Sequence, residues 1–499
     1  MTLVSAFNRI FEKYKGKTAI EFEEHKVTFA EISGKANKVA DSLSKSSISK
    51  GDRVAVFLGN SMELVYFFVG ALKNDSIVVP MNISFMDMEA EYMLNDSGAK
   101  AVLTDKETLP IIKNILPKLK ELKHIITVGC NEFTDFNDFI KDASVKEPDV
   151  KITGEDGSII FYTSGTTGRS KGALLSHHNM ESDLGALKEA WHLNDKDKLL
   201  LALPLYHIHG LGVALCGSFY NGYSLVLRKR FDAEETLKLI QDKKCTLFMG
   251  VPTMYIRILE VDEKYDTNTM RLFISGSAPL SAETFKEFKE KFGHTILERA
   301  GMSETNMNFS NPYRGKRKPG TVGPPLKGVK VMIADKNFRE VPQGREGGIL
   351  LKGPNVFKGY WNDEKKTRES FHDGWFITGD IGKIGRDGYV TFLGRSRDLI
   401  ISGGLNIYPA EVEEVINSHP SVLESAIIGM PDKYFGEAVK VFVVLKKGKK
   451  ADEEGIISYC KERLASYKKP KYVEFMGALP KNSMGKVQKN VLREREAGK

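Results

Sequence analysis

Cysteine is scarce in this 499-residue chain: Cys130, Cys216, Cys245 and Cys460 stand far apart, with no CxxC pair. That pattern argues against a disulfide framework or a cysteine-held zinc site and suits a reducing compartment. Long apolar runs are missing as well. LVYFFVGAL, from Leu64 to Leu72, falls far short of the roughly 20 residues that a membrane span needs. The opening MTLVSAFNRIFEKYKGK has no apolar segment leading to a small-residue cleavage site, so secretion is not expected. The closing AGK gives no peroxisomal address. Neither sign of charge dominates: 73 basic against 65 acidic residues leave a net +8. The lysines are spread out rather than gathered with aromatics into a stripe, which excludes nucleic acid as the expected partner. No internal repeat or low-complexity tract interrupts the chain. These absences leave a cytoplasmic protein without stable membrane association, a monomer or homodimer, acting on small molecules.

With 41% apolar and 28% charged residues, the composition is that of a globular protein too long for one core. The first half alternates helical patterns such as FAEISGKANKVADSLSKS with short apolar runs: RVAVFLG, SIVVPMN, KAVLTD, SIIFYTS. Such alternation predicts an α/β body with parallel-type sheets and helices. From about Gly320 short strands between Gly and Pro turns take over (VKVMIAD, EGGILLKG, DGWFITGD, DGYVTFLG), which reads as a small β-barrel-like subdomain over about 320–394. After GRSRDLIISGG the texture changes again. YPAEVEEVINSH and EEGIISYCKERL read as helices, and ESAIIGMPD and AVKVFVVLK as strands. The division expected is a large domain over 1–396 and a small mobile α+β domain over 397–499, with an exposed hinge near Asp398.

The strongest local signal is YTSGTTGRSKGALLSHHN, Tyr162 to Asn179. A buried strand enters a loop of Thr163, Ser164, Gly165, Thr166, Thr167 and Gly168, then Lys171, and then a stretch that reads as helix. Glycines let backbone N–H groups turn inward and the hydroxyls add donors, so the loop can cradle phosphate. It is not a Walker A loop, because Ser170 stands where that pattern needs Gly and Gly172 follows the lysine. A flexible turn-rich loop is the alternative. His207 and His209 in LPLYHIHGL lack a third nearby ligand, which favours ligand lining over a metal.

This loop resembles the signature of the acyl-adenylate-forming enzymes, which include acyl-CoA synthetases, luciferases and peptide-synthetase adenylation domains. LPLYHIHGL, AGMSE, FITGD, GRSRD and PKNSMGK follow in that family's order over most of the chain. The resemblance implies attachment of AMP to a carboxylate, with pyrophosphate as leaving group, and ATP, Mg²⁺ and coenzyme A as cofactor and cosubstrates. It implies that the loop holds the leaving phosphates, that Glu304 ligates Mg²⁺, and that Lys486 places a mobile positive charge on the α-phosphate. Asp380 would accept the ribose hydroxyls with Arg395 beside it, and Ala300, Gly301, Met302 and Ser303 would border the nucleotide. His207 would lie near the acyl group. Rotation about Asp398 would bring Gly403 and Gly404 to the site, where they leave room for a thiol arm. Taken alone, Lys486 reads as a solvated lysine; its place after PKNSMG carries the assignment.

LERAGMSETNMN, together with FISGSAPL, GPNVFKGYW and MGKVQKNVLRE, is similar to the malonyl-CoA synthetases within that family. That similarity implies that Arg257, Ser277 and Arg299 hold the distal carboxylate of a diacid, with Met302 shaping the pocket; arginine forks suit such a group. The structural alternative is that Arg299 pairs with Glu298 or Glu304 and that Arg257 sits on the wet face of a helix. The expected activity is a malonate–CoA ligase that tolerates methylmalonate. A short- or medium-chain fatty acid–CoA ligase and a non-catalytic nucleotide-binding paralogue are the alternatives. Ala300 departs from the family pattern, which has an aromatic there to stack on adenine. Losing that ring costs up to ~1–3 kcal/mol of nucleotide binding.

Overall fold

The computed structural model describes every residue except 131, 164–169, 483, 484 and 499. Its helices form where the pattern places an apolar stripe and a cap. In Phe29–Lys45, Thr28 accepts from the Glu31 N–H while the Glu31 side chain returns to the Thr28 N–H. Phe29, Ile32, Ala36, Val39 and Leu43 then fall on the buried face. The apolar runs become strands at Arg53–Phe57, Ile77–Pro80, Ala99–Asp105 and Gly157–Thr163.

Two eight-stranded sheets make up the large α/β body. One runs from Asn306–Ser310 through Leu297–Met302, Leu272–Ser275, Leu247–Gly250, Lys198–Leu201 and Ser224–Leu227 to Thr18–Phe22 and His25–Thr28. The other centres on Arg53–Phe57, flanked by Ile77–Pro80 and Ala99–Asp105. Interior pairings are parallel and antiparallel ones lie at the edges. One apolar core includes residues of both sheets, among them Val54, Ile159, Leu199 and Met249. A five-stranded antiparallel sheet follows (Lys330–Ala334, Gly347–Lys352, Phe371–His372, Trp375–Ile384, Val390–Arg395), with its own core of Ile333, Ile349, Leu351 and Val390.

One expectation is corrected here. The segment after the Gly/Thr-rich loop is the strand Lys171–Ser176, antiparallel to Gly157–Thr163, and the helix starts only at His177. GALLS is apolar enough to pair as a buried strand, and Ser176 then caps the helix by accepting from Asn179 N–H. The strands before and after the loop therefore pair with each other.

The last sheet draws all its strands from residues after 399: Ile400–Ser402, Leu405–Ile407, Val422–Asp432, Gly436–Leu445 and Tyr472–Phe475. With helices Pro409–Asn417, Glu453–Lys461 and Lys489–Ala497 it forms a smaller α+β unit with a separate core. Lys446 of this unit pairs with Glu283 of the large body at 2.8 Å. Gly485 lies against the Thr253 side chain. No helix among the described residues is long and apolar enough to cross a membrane.

Candidate active site

Leu297–Met302 pairs parallel to Leu272–Ser275 and antiparallel to Asn306–Ser310. Successive side chains of a strand point to opposite faces, so Glu298 and Arg299 part company. Arg299 is 3% exposed. Its guanidinium lies against Gly276, where a methyl group would overlap it. Asp183, Tyr255 and His209 act on it electrostatically. Its Nε and one terminal nitrogen, Nη2, have no hydrogen-bond partner among the described residues. Burial pulls the guanidinium down to about 10, against the pull of Asp183. It therefore stays charged at neutral pH. Neither of its sequence neighbours pairs with it: Glu298 faces the other way, and Glu304 accepts from the Tyr360 hydroxyl at 3.0 Å.

Ser277 stands beside this group, its hydroxyl 3.4 Å from Nδ1 of His209. Its backbone is left-handed (φ +71°), a costly conformation for a residue with a Cβ. Burial pushes His207 down to about 4 and His209 well below the ordinary range, so both rings are neutral at working pH. Arg257 does not join the cluster. On the helix Pro252–Leu259 it is exposed, with the guanidinium 5.3 Å from the Phe231 ring centroid. The buried face of that helix is taken by Tyr255 and Ile258, and a guanidinium without a counter-charge is cheaper to leave on an aromatic face than to bury. Phe231 itself lines a cavity of about 240 Å³, with Asn60, Tyr206, Val251 and Met254. Met302 is half-buried against the main core.

A second cluster of charges gathers at the hairpin turn. Glu304 is buried, and burial raises its carboxyl, with Arg395 pulling it down and Asp380 pushing it up. Asp380 and Arg395 face each other across neighbouring strands and pair at 2.9 Å. Arg395 also donates to the Thr378 carbonyl at 3.1 Å. Burial raises Asp380 too, opposed by Arg395, Lys486 and Arg397. Lys486 thus shares this cluster although its side chain reaches solvent. Crowding and the guanidiniums of Arg395 and Arg397 lower it, while Asp380 and Asp398 hold it up. Thr163 and Lys171 are paired where these two strands end and begin. Lys171 lies 5.6 Å from the Tyr360 ring centroid and feels Glu304. Ser164, Gly165, Thr166, Thr167 and Gly168 lie outside the described residues. Ser303 is half-buried at the turn. Ala300 points the other way, its methyl in the apolar cluster of Phe309, Ile333 and Val390.

Among the described residues no group of three or more His, Cys, Asp or Glu side chains could hold a metal. A single carboxylate such as Glu304 suits an ion whose other ligands are phosphate oxygens and water. Sequence reasoning gave Tyr360 no role although it lies within GPNVFKGYW, and it missed Asp183, which comes from a segment remote from the motif. Asp398 is 12% exposed in its side chain and accepts from Arg493 at 2.7 Å. Gly403 and Gly404 form an exposed turn with φ +58° and +80°.

Residues 7–361 match the family described as AMP-binding enzyme, and residues 411–486 its C-terminal domain. Across 99% of both chains the fold superposes on ATP-bound MatB from Rhodopseudomonas palustris with a TM-score of 0.94 and 42% identity. A long-chain-fatty-acid–CoA ligase of Bacillus subtilis is 36% identical, covering 99% of this chain and 94% of the relative. A malonate–CoA ligase of Arabidopsis thaliana is 34% identical, covering 89% and 78%.

Proposed function

The chain belongs to the AMP-binding enzyme family, and on that premise we propose that it joins malonate to coenzyme A through a malonyl-adenylate. Methylmalonate would enter the same pocket. The observation that carries the choice of acid is Arg299: a buried, charged guanidinium with two nitrogens unpartnered among the described residues, and a second carboxylate would satisfy them. The malonate–CoA ligase among the relatives supports the same reading. Ser277 would donate to that carboxylate, and Arg257 would close on it from the rim.

In the first half-reaction a carboxylate oxygen attacks the α-phosphorus of ATP; the new P–O bond forms as the bond to pyrophosphate breaks. The nucleophile is already ionised, so the protein's work is positioning and charge stabilisation. Lys486 would sit on the α-phosphate and the attacking carboxylate. The 163–168 loop and Lys171 would hold the leaving phosphates. Asp380 would accept the ribose hydroxyls, steadied by Arg395, and Gly301, Met302 and Ser303 would border the nucleotide. With a buried apolar position at Ala300, no ring is offered to adenine. Glu304 would hold Mg²⁺, which when bound neutralises phosphate charge. In the second half-reaction the thiol sulfur of coenzyme A attacks the acyl carbon, AMP leaves, and the thiol proton goes to solvent. Neutral His207 can line that path without drawing the acyl carboxylate away. The units meet at 396/397, with Asp398 as hinge and Gly403 and Gly404 admitting the thiol arm.

Incubated with ATP, coenzyme A and malonate, the protein should release pyrophosphate. Arg299→Ala should lower kcat/KM for malonate ~100-fold, the scale of truncating one partner of a buried charge pair, while butyrate is affected far less. Intact malonate turnover in that variant, with butyrate serving equally well, would overturn the diacid reading.

A further inference from the structure

Three buried side chains meet at Arg299 with polar atoms left over. Besides Nε and Nη2 of the guanidinium, Oδ2 of Asp183 and Nε2 of His209 have no hydrogen-bond partner among the described residues. Asp183 comes from the helix His177–Trp191 and is 2% exposed. Its other oxygen accepts from the Met307 N–H at 3.0 Å, which fixes the carboxyl to the same hairpin that carries Arg299. Arg299 and Asp183 act on each other electrostatically, yet Arg299 makes no ion pair among the described residues. Asp183 is the acid that this guanidinium feels; Glu298 and Glu304 are turned elsewhere.

The geometry points to Asp183 as the residue that sets acid selectivity through Arg299: it offsets the guanidinium's charge in the empty pocket and yields it to the second carboxylate of a bound diacid. The inference rests on the proposed use of a diacid. Once that carboxylate takes the guanidinium, two acids share one buried cation, and both cannot stay ionised at low cost. The Met307 N–H keeps Asp183 in place, so it takes up a proton instead. Burial already drives its carboxyl well above the usual range. Other groups around the guanidinium do not compete for this role. His209, from the short π-helix His209–Leu215, is held neutral by burial, Arg299 and His207. Tyr255, from Pro252–Leu259, donates a hydrogen bond to the Ile274 carbonyl at 2.7 Å, and burial keeps its phenol protonated. Diacid binding therefore takes up one proton at Asp183. A monoacid brings no second carboxylate and takes up none.

Asp183→Asn keeps the size and the acceptor for Met307 and mimics the protonated acid, so it makes the test. Across the pH range in which Asp183 is ionised in the empty pocket, KM for malonate in the parent should rise with pH by up to ~10-fold per unit, and KM for butyrate should not. In Asp183→Asn the malonate slope should flatten and its KM fall at the alkaline end, the change lying in KM rather than kcat. An Arg299→Met background should abolish the difference. Melting temperatures of the two single variants and the double variant, without substrate, give a second readout. Non-additive shifts support the partnership. Additive shifts with an unchanged malonate slope overturn it, whichever acid the enzyme uses. Coupled shifts in a parent that refuses malonate would defeat the malonate reading alone and still support Asp183 as the partner of Arg299.

Discussion

Glu298 is buried where its neighbour Arg299 cannot help it. The Gly320 N–H stabilises its charged form, Oε2 has no hydrogen-bond partner among the described residues, and Glu414 of the helix Pro409–Asn417 repels it. Burial, the largest influence, pushes it up to about 8 from an ordinary 4.5. Between those values the folded chain keeps a proton that the unfolded chain has released. Stability should therefore fall as pH rises from about 4.5 to about 8 and level off above, by on the order of 5 kcal/mol. Glu298→Gln should remove that loss, as denaturant melts at about pH 5 and pH 8 would register. Parallel losses in parent and variant would mean that Glu298 is ionised in the fold. The sequence carries both charges in LERAG, and the alternation of a strand separates them, but it does not say what each one meets. Asp183 approaches Arg299 from a helix far earlier in the chain and Glu414 approaches Glu298 from far later, so neither environment was legible. Arg299 as an acid-binding candidate was legible because its motif neighbours were.

Hairpins at this site depend on close backbone approach. Gly301 crosses its partner strand where a Cβ would overlap the Asn306 carbonyl oxygen and crowd the Met307 side chain. Gly301→Ala should cost about 3 kcal/mol or more and disable adenylation, since the turn that aims Glu304 would shift. A variant melting with the parent would refute that account. TNMNFS looks too polar for a buried strand, yet Asn306–Ser310 is one, with all five residues buried. The reason is Asn355, whose amide donates to the Thr305 and Met307 carbonyls at 2.7 and 3.1 Å and to the Asn308 side chain at 3.0 Å. A polar strand becomes affordable when such a partner arrives from another element, which no local pattern announces. The Lys171–Ser176 strand was missed for a related reason: its short apolar run fits helix and strand alike, and pairing with Gly157–Thr163 decides. Elements with a clean period and a start signal, a capping box in Phe29–Lys45 and a first-turn proline in Pro409–Asn417, were legible from the sequence.

Across the whole molecule, the small unit is held in one orientation by polar contacts and by a buried apolar cluster in which its Tyr408 meets Ile381 and Leu393. Lys446–Glu283 is a half-exposed ion pair, worth about 0–1 kcal/mol; Gly485 touches Thr253, and Lys486 reaches the Asp380–Arg395 cluster. In the same orientation Gly403 and Gly404 face solvent. One arrangement thus places the lysine proposed for adenylation and withholds the turn proposed for the thiol, so under the proposed function the second half-reaction would require a rotation. The chain between the units runs through Ser396–Asp398 and on to Leu399, and Asp398 is the position where Arg493 grips it. Proline at 398 would fix φ there and restrict Arg397; it would also remove the carboxylate that Arg493 holds. Asp398→Ala removes only the carboxylate and therefore separates the two effects. Asp398→Pro should still form malonyl-adenylate, measured as pyrophosphate released in a single turnover, while thioester formation from preformed adenylate falls ~100-fold or more, because the missing rotation withholds the positioned thiol. Asp398→Ala should retain both half-reactions within about fivefold, the scale of losing one partly exposed ion pair. Equal thioester rates in the proline variant and the parent would place the pivot elsewhere. Equal losses in the proline and alanine variants would assign the effect to Arg493 and its grip rather than to rotation at the hinge.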